Sequence, residues 1–157
     1  KTPLPRTLIP HLRELCGSEE AVAVTASTGI AAEPLGGTTL HAFAGFGLGR
    51  GPIESLVAKV TASQKASDRW CRTQVLVIDE VSMVDEHMFT ALEAIARATR
   101  SSEKPFGGMQ LIAVGDFFQL PPVTRTSDGV PSFAFLSPAW SRAFPHGIHE
   151  LTEVVRQ

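Results

Sequence analysis

The stretch that most constrains the fold of this chain is residues 75–80, Val-Leu-Val-Ile-Asp-Glu. Four apolar residues, three of them β-branched, run directly into two adjacent carboxylates. An apolar run this short, with no polar alternation, is typical of a strand that is buried on both faces, as in a parallel sheet. Asp79 and Glu80 then fall at the carboxyl end of that strand, where open α/β sheets place their ligands.

The adjacent carboxylates suit a nucleoside triphosphate site. One of them can hold Mg²⁺, and the next can orient or deprotonate a water molecule. An acidic pair is also a favourable start for a following helix, because a helix N-terminus stabilises negative charge. The pair by itself leaves both interpretations open.

A second apolar strand, predicted at residues 109–114, ends in a similar polar turn, Gly115-Asp116-Phe117-Phe118-Gln119. This strand should lie beside the first one in the sheet. A glutamine there can reach a terminal phosphate or an attacking water, whereas the alternative is a solvated side chain on a tight turn. Phe117 and Phe118 are expected in the core rather than on nucleic acid.

Strands alternate with helices along the rest of the chain. This alternation predicts a parallel sheet with right-handed crossovers. The other predicted elements are a strand at 21–25, a glycine-rich loop at 45–52, a last strand at 148–151, and helices at 4–15 (with a kink or a late start at Pro10), 39–44 (capped by Thr38), 53–72, 86–100 (capped by Asp85) and 137–144.

Composition limits the classes of function. The chain is 43% hydrophobic and 19% charged, so it can bury an ordinary core. No apolar run approaches the roughly 18–20 residues of a membrane span. The net charge of −2 is weak evidence against a general polyanion-binding surface, although a narrow groove that follows one strand stays open. Cys16 and Cys71 lack zinc or disulfide spacing and are expected to be free thiols.

Hydroxyl side chains cluster in two stretches, TASTG at 25–29 and GGTTLHAFAG at 36–45. Hydroxyls and backbone N–H groups at a strand-to-helix turn bind phosphates, and they suit a nucleic-acid backbone better than its bases. Phe43 or Phe46 could stack on a base. The alternative is ordinary helix capping by serine and threonine, with His41 as a structural histidine.

The two ends of the chain carry weaker signals. The start has no methionine and is interpreted as a fragment boundary. Lys1-Thr2 is what remains of a Gly-x-x-x-x-Gly-Lys-Thr phosphate loop that is cut just before its lysine, one helix ahead of the 21–25 strand. Arg156 is a surface charge by default, although an arginine can also stabilise charge on a transferring γ-phosphoryl group.

Six blocks, taken together and in this order, resemble the PIF-type (petite integration frequency) family of superfamily-one DNA helicases. They are TASTGIAA at 25–32, GGTTLHAFAGFGLG at 36–49, VLVIDEVSMVD at 75–85, GGMQLIAVGDFFQLPPV at 107–123, FAFLSPAW at 133–140 and LTEVVRQ at 151–157. The resemblance implies an α/β fold, a RecA-like P-loop NTPase domain whose parallel sheet has flanking helices. It also implies that residues 1–157 are part of the first motor domain, truncated upstream within the P-loop and downstream before the second motor domain.

The resemblance assigns roles to residues motif by motif. ATP and Mg²⁺ are the implied cofactors, with Lys1 on the β- and γ-phosphates, and Thr2 and Asp79 on the cation. The implied catalytic residues are Asp79, Glu80 as the base that activates water, Gln119 as the sensor of the γ-phosphate, and Arg156 at the edge of the second motor domain. The residues expected near the DNA strand are Thr25, Ser27, Thr28, Thr39 and His41, with Phe43 as the stacking candidate.

The implied activity is ATP hydrolysis coupled to 5′→3′ movement along single-stranded DNA. The implied partners are single-stranded DNA and duplex or quadruplex DNA junctions, with no membrane, and the protein would be monomeric on DNA. The implied setting is intracellular, in the nucleus or mitochondrion of a eukaryote, with roles in DNA repair, recombination, telomeres and replication barriers. Because this family binds ATP between two motor domains, the 157 residues alone should hydrolyse ATP negligibly.

Two alternatives remain open at this point. One is a non-catalytic nucleic-acid-binding module from a degenerate or truncated helicase gene. The other is a P-loop NTPase that does not depend on DNA, although the two hydroxyl-rich stretches argue against it because hydrolysis alone does not need them.

Overall fold

The strands of this chain pair into one parallel sheet, as predicted. The computed structural model describes residues 3–123 and 130–152. Within them the strands are β1 (Val22–Ala26), β2 (Thr38–Thr39), β3 (Val75–Asp79) and β4 (Gln110–Val114). Their order across the sheet is β2-β1-β3-β4, and all neighbours are parallel.

β3 is an interior strand, and every one of its residues is buried, as its unbroken apolar run predicts. Asp79, its last residue, pairs in register with Ala26 of β1 on one side and with Val114 of β4 on the other. The carboxyl ends of three strands therefore meet at one edge of the sheet. The prediction that the strand near 109–114 lies beside β3 is confirmed.

Helices flank the sheet in the described part of the chain. They are α1 (Pro3–Cys16), α2 (Gly29–Ala32), α3 (Leu40–Ala44), α4 (Ile53–Thr61), α5 (Gln64–Arg72), α6 (Glu86–Thr99) and α7 (Pro138–Ala143). Asp85 caps α6 as predicted, and its carboxylate accepts the N–H of Met88 at 2.6 Å. Among the described residues, no helix has both the length and the apolar character to cross a membrane.

The side chains of β3 alternate between two apolar cores, because successive side chains of a strand point to opposite faces. Leu76 and Ile78 belong to the larger core, which is shared with α3, α4, α5, α6 and α7. Val75 and Val77 belong to the smaller core, which is shared with α1 and β1. Both faces of β3 are thus covered, which leaves the end of the strand as the place where its polar residues can meet a ligand.

The predicted helix at 53–72 is two helices, α4 and α5. Ser63 separates them, and its hydroxyl accepts the N–H of Ala66 at 3.4 Å as the N-cap of α5. A serine side chain competes with the helix backbone for hydrogen bonds in this way, and it therefore favours caps over helix interiors. The prediction of one continuous helix is wrong for that reason.

Three smaller predictions also change. Thr39, not Thr38, caps α3, because both threonines form β2 alongside β1. α1 runs through Pro10, so the predicted late start of this helix is excluded. No strand forms at 148–151, where the apolar side chains are exposed and the described residues offer no neighbouring strand to pair with.

Candidate functional site

Asp79 is a buried carboxylate at the ligand-binding edge of the sheet. Its side chain is 4% exposed, and Oδ1 accepts the N–H of Glu80 at 3.0 Å. One carboxylate that is completed by phosphate and water oxygens is a ligand set that suits Mg²⁺. The described residues contain no group of three or more acidic, histidine or cysteine side chains that could hold a metal alone. A cation at this edge would take Asp79 as one protein ligand and phosphate and water oxygens as others.

Glu80 has a left-handed backbone, with φ 52° and ψ 47°. Such a conformation costs about 1–3 kcal/mol for a residue with a side chain, and it persists only where the surroundings hold it. Here the Glu80 carbonyl accepts the N–H of Met83 at 3.1 Å and the hydroxyl of Ser27 at 3.0 Å. The half-buried glutamate is therefore fixed at the end of β3 in a strained turn, which the sequence did not reveal.

The turn after β3 touches the turn after β4 at Gly115. A Cβ atom on Gly115 would lie 2.8 Å from Val81 Cγ1, and 3.0 and 3.1 Å from the backbone nitrogens of Val81 and Ser82. Glycine is required here by this close approach. Ser82 is 1% exposed, and its hydroxyl has no hydrogen-bond partner among the described residues. Sequence reasoning missed both features, although a glycine at a strand end is the available signal for the first.

Gln119 lies on the exposed turn that follows Gly115. Its side-chain amide donates to Asp116 Oδ2 at 3.1 Å, and the N–H of Phe118 donates to Asp116 Oδ1 at 3.1 Å. The glutamine is thus held back on its own turn, and its role towards a phosphate stays a prediction. Phe117 packs against the larger core as expected, but the core prediction is wrong for Phe118, whose side chain is fully exposed.

An aromatic cluster fastens the turn after β4 to the rest of the domain. The Phe117 ring centroid lies 5.0 Å from that of Phe135 and 5.8 Å from that of Phe133. The segment that carries those two rings is bonded to the stretch before α6, where Ala134 N–H donates to the Val84 carbonyl at 3.1 Å. These contacts therefore fix the turn after β4 relative to the turn after β3.

Two residues predicted to face DNA are buried. Thr25 is 0% exposed, and its hydroxyl donates to the Val77 carbonyl at 2.7 Å. Phe43 is 2% exposed and packs on Trp70, with ring centroids 4.8 Å apart. Neither side chain has surface for a DNA strand, which corrects both assignments; Phe46, also 2% exposed, has none either. An aromatic ring on a short helix beside a core gains more from burial than from solvent.

The Phe43 ring also lies beneath a cation. The guanidinium carbon of Arg69 is 5.7 Å from the ring centroid, and Arg69 Nε donates to the Phe43 carbonyl at 2.7 Å. Burial, and then the nearby charge of Arg72, lower the pKa of Arg69. The Phe43 ring is therefore packed against protein rather than available to a base.

The other four predicted DNA-facing residues keep some exposed surface. Thr28 and Thr39 cap α2 and α3, and each hydroxyl accepts a backbone N–H at 3.2 Å. The capping alternative is thus correct for both, but a hydroxyl that accepts keeps its own proton to donate to a phosphate. His41 is half-buried edge-on to Phe46, at 6.1 Å between ring centroids. Ser27 is half-buried, and its hydroxyl donates to the Glu80 carbonyl, so it links the turn after β1 to the turn after β3.

Three predicted site residues, Lys1, Thr2 and Arg156, lie outside the described residues. Their roles on the phosphates and the cation stay predictions.

Known proteins match this chain in sequence and in fold. The family described as PIF1-like helicase matches residues 1–157. The ATP-dependent DNA helicase PIF1 of Emericella nidulans is 51% identical over 158 residues, which cover 100% of this chain and 21% of that protein. The human ATP-dependent DNA helicase PIF1 is 51% identical over 150 residues, which cover 93% of this chain and 23% of that protein. This chain therefore spans less than a quarter of the length of these relatives.

Solved structures agree with this relationship. The crystal structure of Pif1 helicase from Candida albicans superposes with a TM-score of 0.84 and 50% identity, over 91% of this chain and 32% of that one. The crystal structure of Pif1 helicase from Bacteroides in complex with ADP-AlF3 and ssDNA gives a TM-score of 0.66 and 31% identity, over 87% of this chain and 33% of that one. The parallel sheet with its flanking helices is thus a RecA-like α/β fold, and the chain belongs to the PIF1-like helicase family.

Proposed function

We propose that the protein from which this chain comes is an ATP-dependent DNA helicase that moves 5′→3′ along single-stranded DNA. Residues 1–157 are then part of its first RecA-like motor domain. The observation that carries the proposal is the pair Asp79-Glu80 at the carboxyl end of the interior strand β3, with the glutamate held in a strained turn. Family membership supports the same activity.

Each carboxylate has a separate role in the proposed chemistry. Asp79 holds Mg²⁺, which when bound neutralises charge on the β- and γ-phosphates of ATP. Glu80 orients the attacking water and accepts its proton. Gln119 leaves Asp116 to contact the γ-phosphate. Lys1, Thr2 and Arg156 keep the roles that the resemblance gives them.

DNA is the partner we propose for the edge formed by β1, β2 and the helices that follow them. Thr28 and Thr39 donate their hydroxyl protons to backbone phosphates, and His41 lies beside them. Solved Pif1 relatives are described as bound to ssDNA and as unwinding forked dsDNA, which supports single strands and duplex junctions as ligands. Quadruplex junctions, action as a monomer, and an intracellular place in the nucleus or mitochondrion belong to the same proposal.

The test is steady-state ATP hydrolysis by the full-length protein in Mg²⁺, with and without single-stranded DNA. Hydrolysis that DNA stimulates strongly is the expected result. Hydrolysis that is indifferent to DNA would contradict the helicase proposal and favour another NTPase. DNA binding without hydrolysis would favour the non-catalytic module. Because we propose that ATP binds between two motor domains, residues 1–157 alone are expected to hydrolyse ATP negligibly.

A further inference from the structure

Two hydroxyl side chains near the end of β1 reach across to carbonyl groups of β3 and its turn. Thr25 Oγ1 donates to the Val77 carbonyl at 2.7 Å, and Ser27 Oγ donates to the Glu80 carbonyl at 3.0 Å. The backbone N–H of Ser27 also donates to the Asp79 carbonyl at 3.4 Å. Ser27 therefore holds the last residue of β3 through its backbone and the following residue through its side chain.

The bond from Ser27 bears on the strained residue of the site. The left-handed Glu80 needs its peptide groups fixed from outside, because the conformation is unfavourable by itself. The Glu80 N–H donates to Asp79, and the Glu80 carbonyl accepts from Met83, so these two bonds are local to the turn. Among the hydrogen bonds of the Glu80 backbone in the described residues, the one from Ser27 comes from another segment, the turn that follows β1. This bond links the glutamate to the end of β1.

The same bond removes Ser27 as a phosphate donor. A serine hydroxyl has one proton, and in this structure Ser27 gives that proton to Glu80. Its neighbour Thr28 is different, because the Thr28 hydroxyl accepts the N–H of Ala31 and keeps its proton. The adjacent hydroxyls of Ser27 and Thr28 therefore differ: the first donates its proton within the protein, and the second can donate its proton to a phosphate.

We propose that Ser27 is a positioning residue for Glu80, holding the glutamate turn in its active geometry, rather than a DNA contact. The proposal rests on the proposed function of Glu80 as the base that activates water. A displacement of about 1 Å in a reacting group can lower a rate by about 100-fold, so a hydroxyl that fixes the backbone of the base influences turnover without touching ATP.

The test uses the full-length protein and four substitutions: Ser27→Ala, Ser27→Thr, Thr28→Ala, and Ser55→Ala as a control on the exposed side of α4. The quantities are kcat and KM for ATP at saturating single-stranded DNA, with kcat expressed per nucleotide-binding site, and the Kd for that DNA.

Ser27→Ala is expected to lower kcat about tenfold or more, with KM and Kd within about threefold of wild type. Ser27→Thr keeps the hydroxyl and should restore most of kcat. Thr28→Ala should raise the Kd for DNA, and Ser55→Ala should change none of the three quantities.

Two results would overturn the positioning role. One is an unchanged kcat and an unchanged Kd for DNA in Ser27→Ala; the other is an unchanged kcat with a raised Kd, which would return Ser27 to the DNA interface. Expressing kcat per nucleotide-binding site keeps partial unfolding from imitating the expected loss. A failure of the proposed function is visible separately, as absent hydrolysis in wild type or full hydrolysis in Glu80→Gln, and it would remove the base that Ser27 is proposed to position.

Discussion

The end of β3 and the hydroxyl-rich edge beside it look equally functional in the sequence, but the structure treats them differently. Asp79 Oδ1 accepts the N–H of Glu80, and Glu80 is held in a strained turn at the same edge. Across the sheet, Thr25 and Phe43 are buried, and Thr28 caps a helix. We propose that the side chains at the end of β3 bind a ligand, whereas several side chains of the hydroxyl-rich edge stabilise the fold.

This difference follows from where each side chain lies relative to its own backbone. A carboxylate at the end of a strand buried on both faces has little to bond with except a ligand and the next N–H group. Serine and threonine at a strand-to-helix turn have unpaired backbone groups beside them, which they satisfy by capping or bracing. Residue type alone therefore predicts ligand binding better for the aspartate and glutamate than for the serines and threonines.

The largest expected effect falls on the carboxylate side. Glu80→Gln should lower kcat for ATP by about 10²–10⁴-fold, because the variant loses the base that takes the proton of the attacking water. Nucleotide binding, measured with a fluorescent ATP analogue, should be retained. Glu54→Gln, on the exposed surface of α4, is the matched control. Turnover that survives in Glu80→Gln would remove the contrast between the two regions.

The next largest expected effect is the loss of stability in Phe43→Ala, on the hydroxyl-rich edge. Phe43→Ala should lower the free energy of unfolding by about 3–5 kcal/mol, because it empties a buried site beside Trp70. Phe118→Ala removes the same ring from a fully exposed position and should change the unfolding free energy by no more than about 0.5 kcal/mol. Urea denaturation measures both. A stable Phe43→Ala protein with lost DNA affinity would restore the stacking role.

Gly115→Ala should disturb the contact between the two turns of the carboxylate side. The added methyl group would meet Val81 and Ser82, and overpacking of this kind costs about 1–3 kcal/mol. Turnover per folded molecule should fall with it, since the Glu80 turn must shift. Gly29→Ala is the control, because a Cβ there meets open space. Normal turnover in Gly115→Ala would mean that the spacing of the turns does not matter for catalysis.

The smallest expected effect is that of Thr25→Val. The substitution keeps the shape of the buried side chain and removes one hydrogen bond to Val77, so the unfolding free energy should fall by about 1 kcal/mol. The Kd for single-stranded DNA should not change, because the side chain is 0% exposed. A weaker Kd with unchanged stability would show that Thr25 reaches the DNA.

The sequence predicts the frame of this site better than its details. The apolar run 75–78 predicts a strand buried on both faces, and the similar end of β4 predicts that the two strands are neighbours, as found. The left-handed Glu80 and the approach of Gly115 to the β3 turn depend on contacts between segments distant in sequence. Only the second has a local signal, which is the glycine at the end of its strand. The burial of Phe43 likewise depends on Trp70 of α5, which is distant in sequence.

We propose that the two carboxylates at the end of β3 have separate roles, Asp79 in binding the cation and Glu80 in activating the water. The most direct measurement is the affinity of the full-length protein for a fluorescent ATP analogue as a function of Mg²⁺ concentration, in wild type, Asp79→Asn and Glu80→Gln. Asp79→Asn is expected to weaken the Mg²⁺-dependent binding by about tenfold or more, equivalent to about 1.4 kcal/mol, whereas Glu80→Gln should leave it unchanged. Equal Mg²⁺ dependence in wild type and Asp79→Asn would contradict the claim.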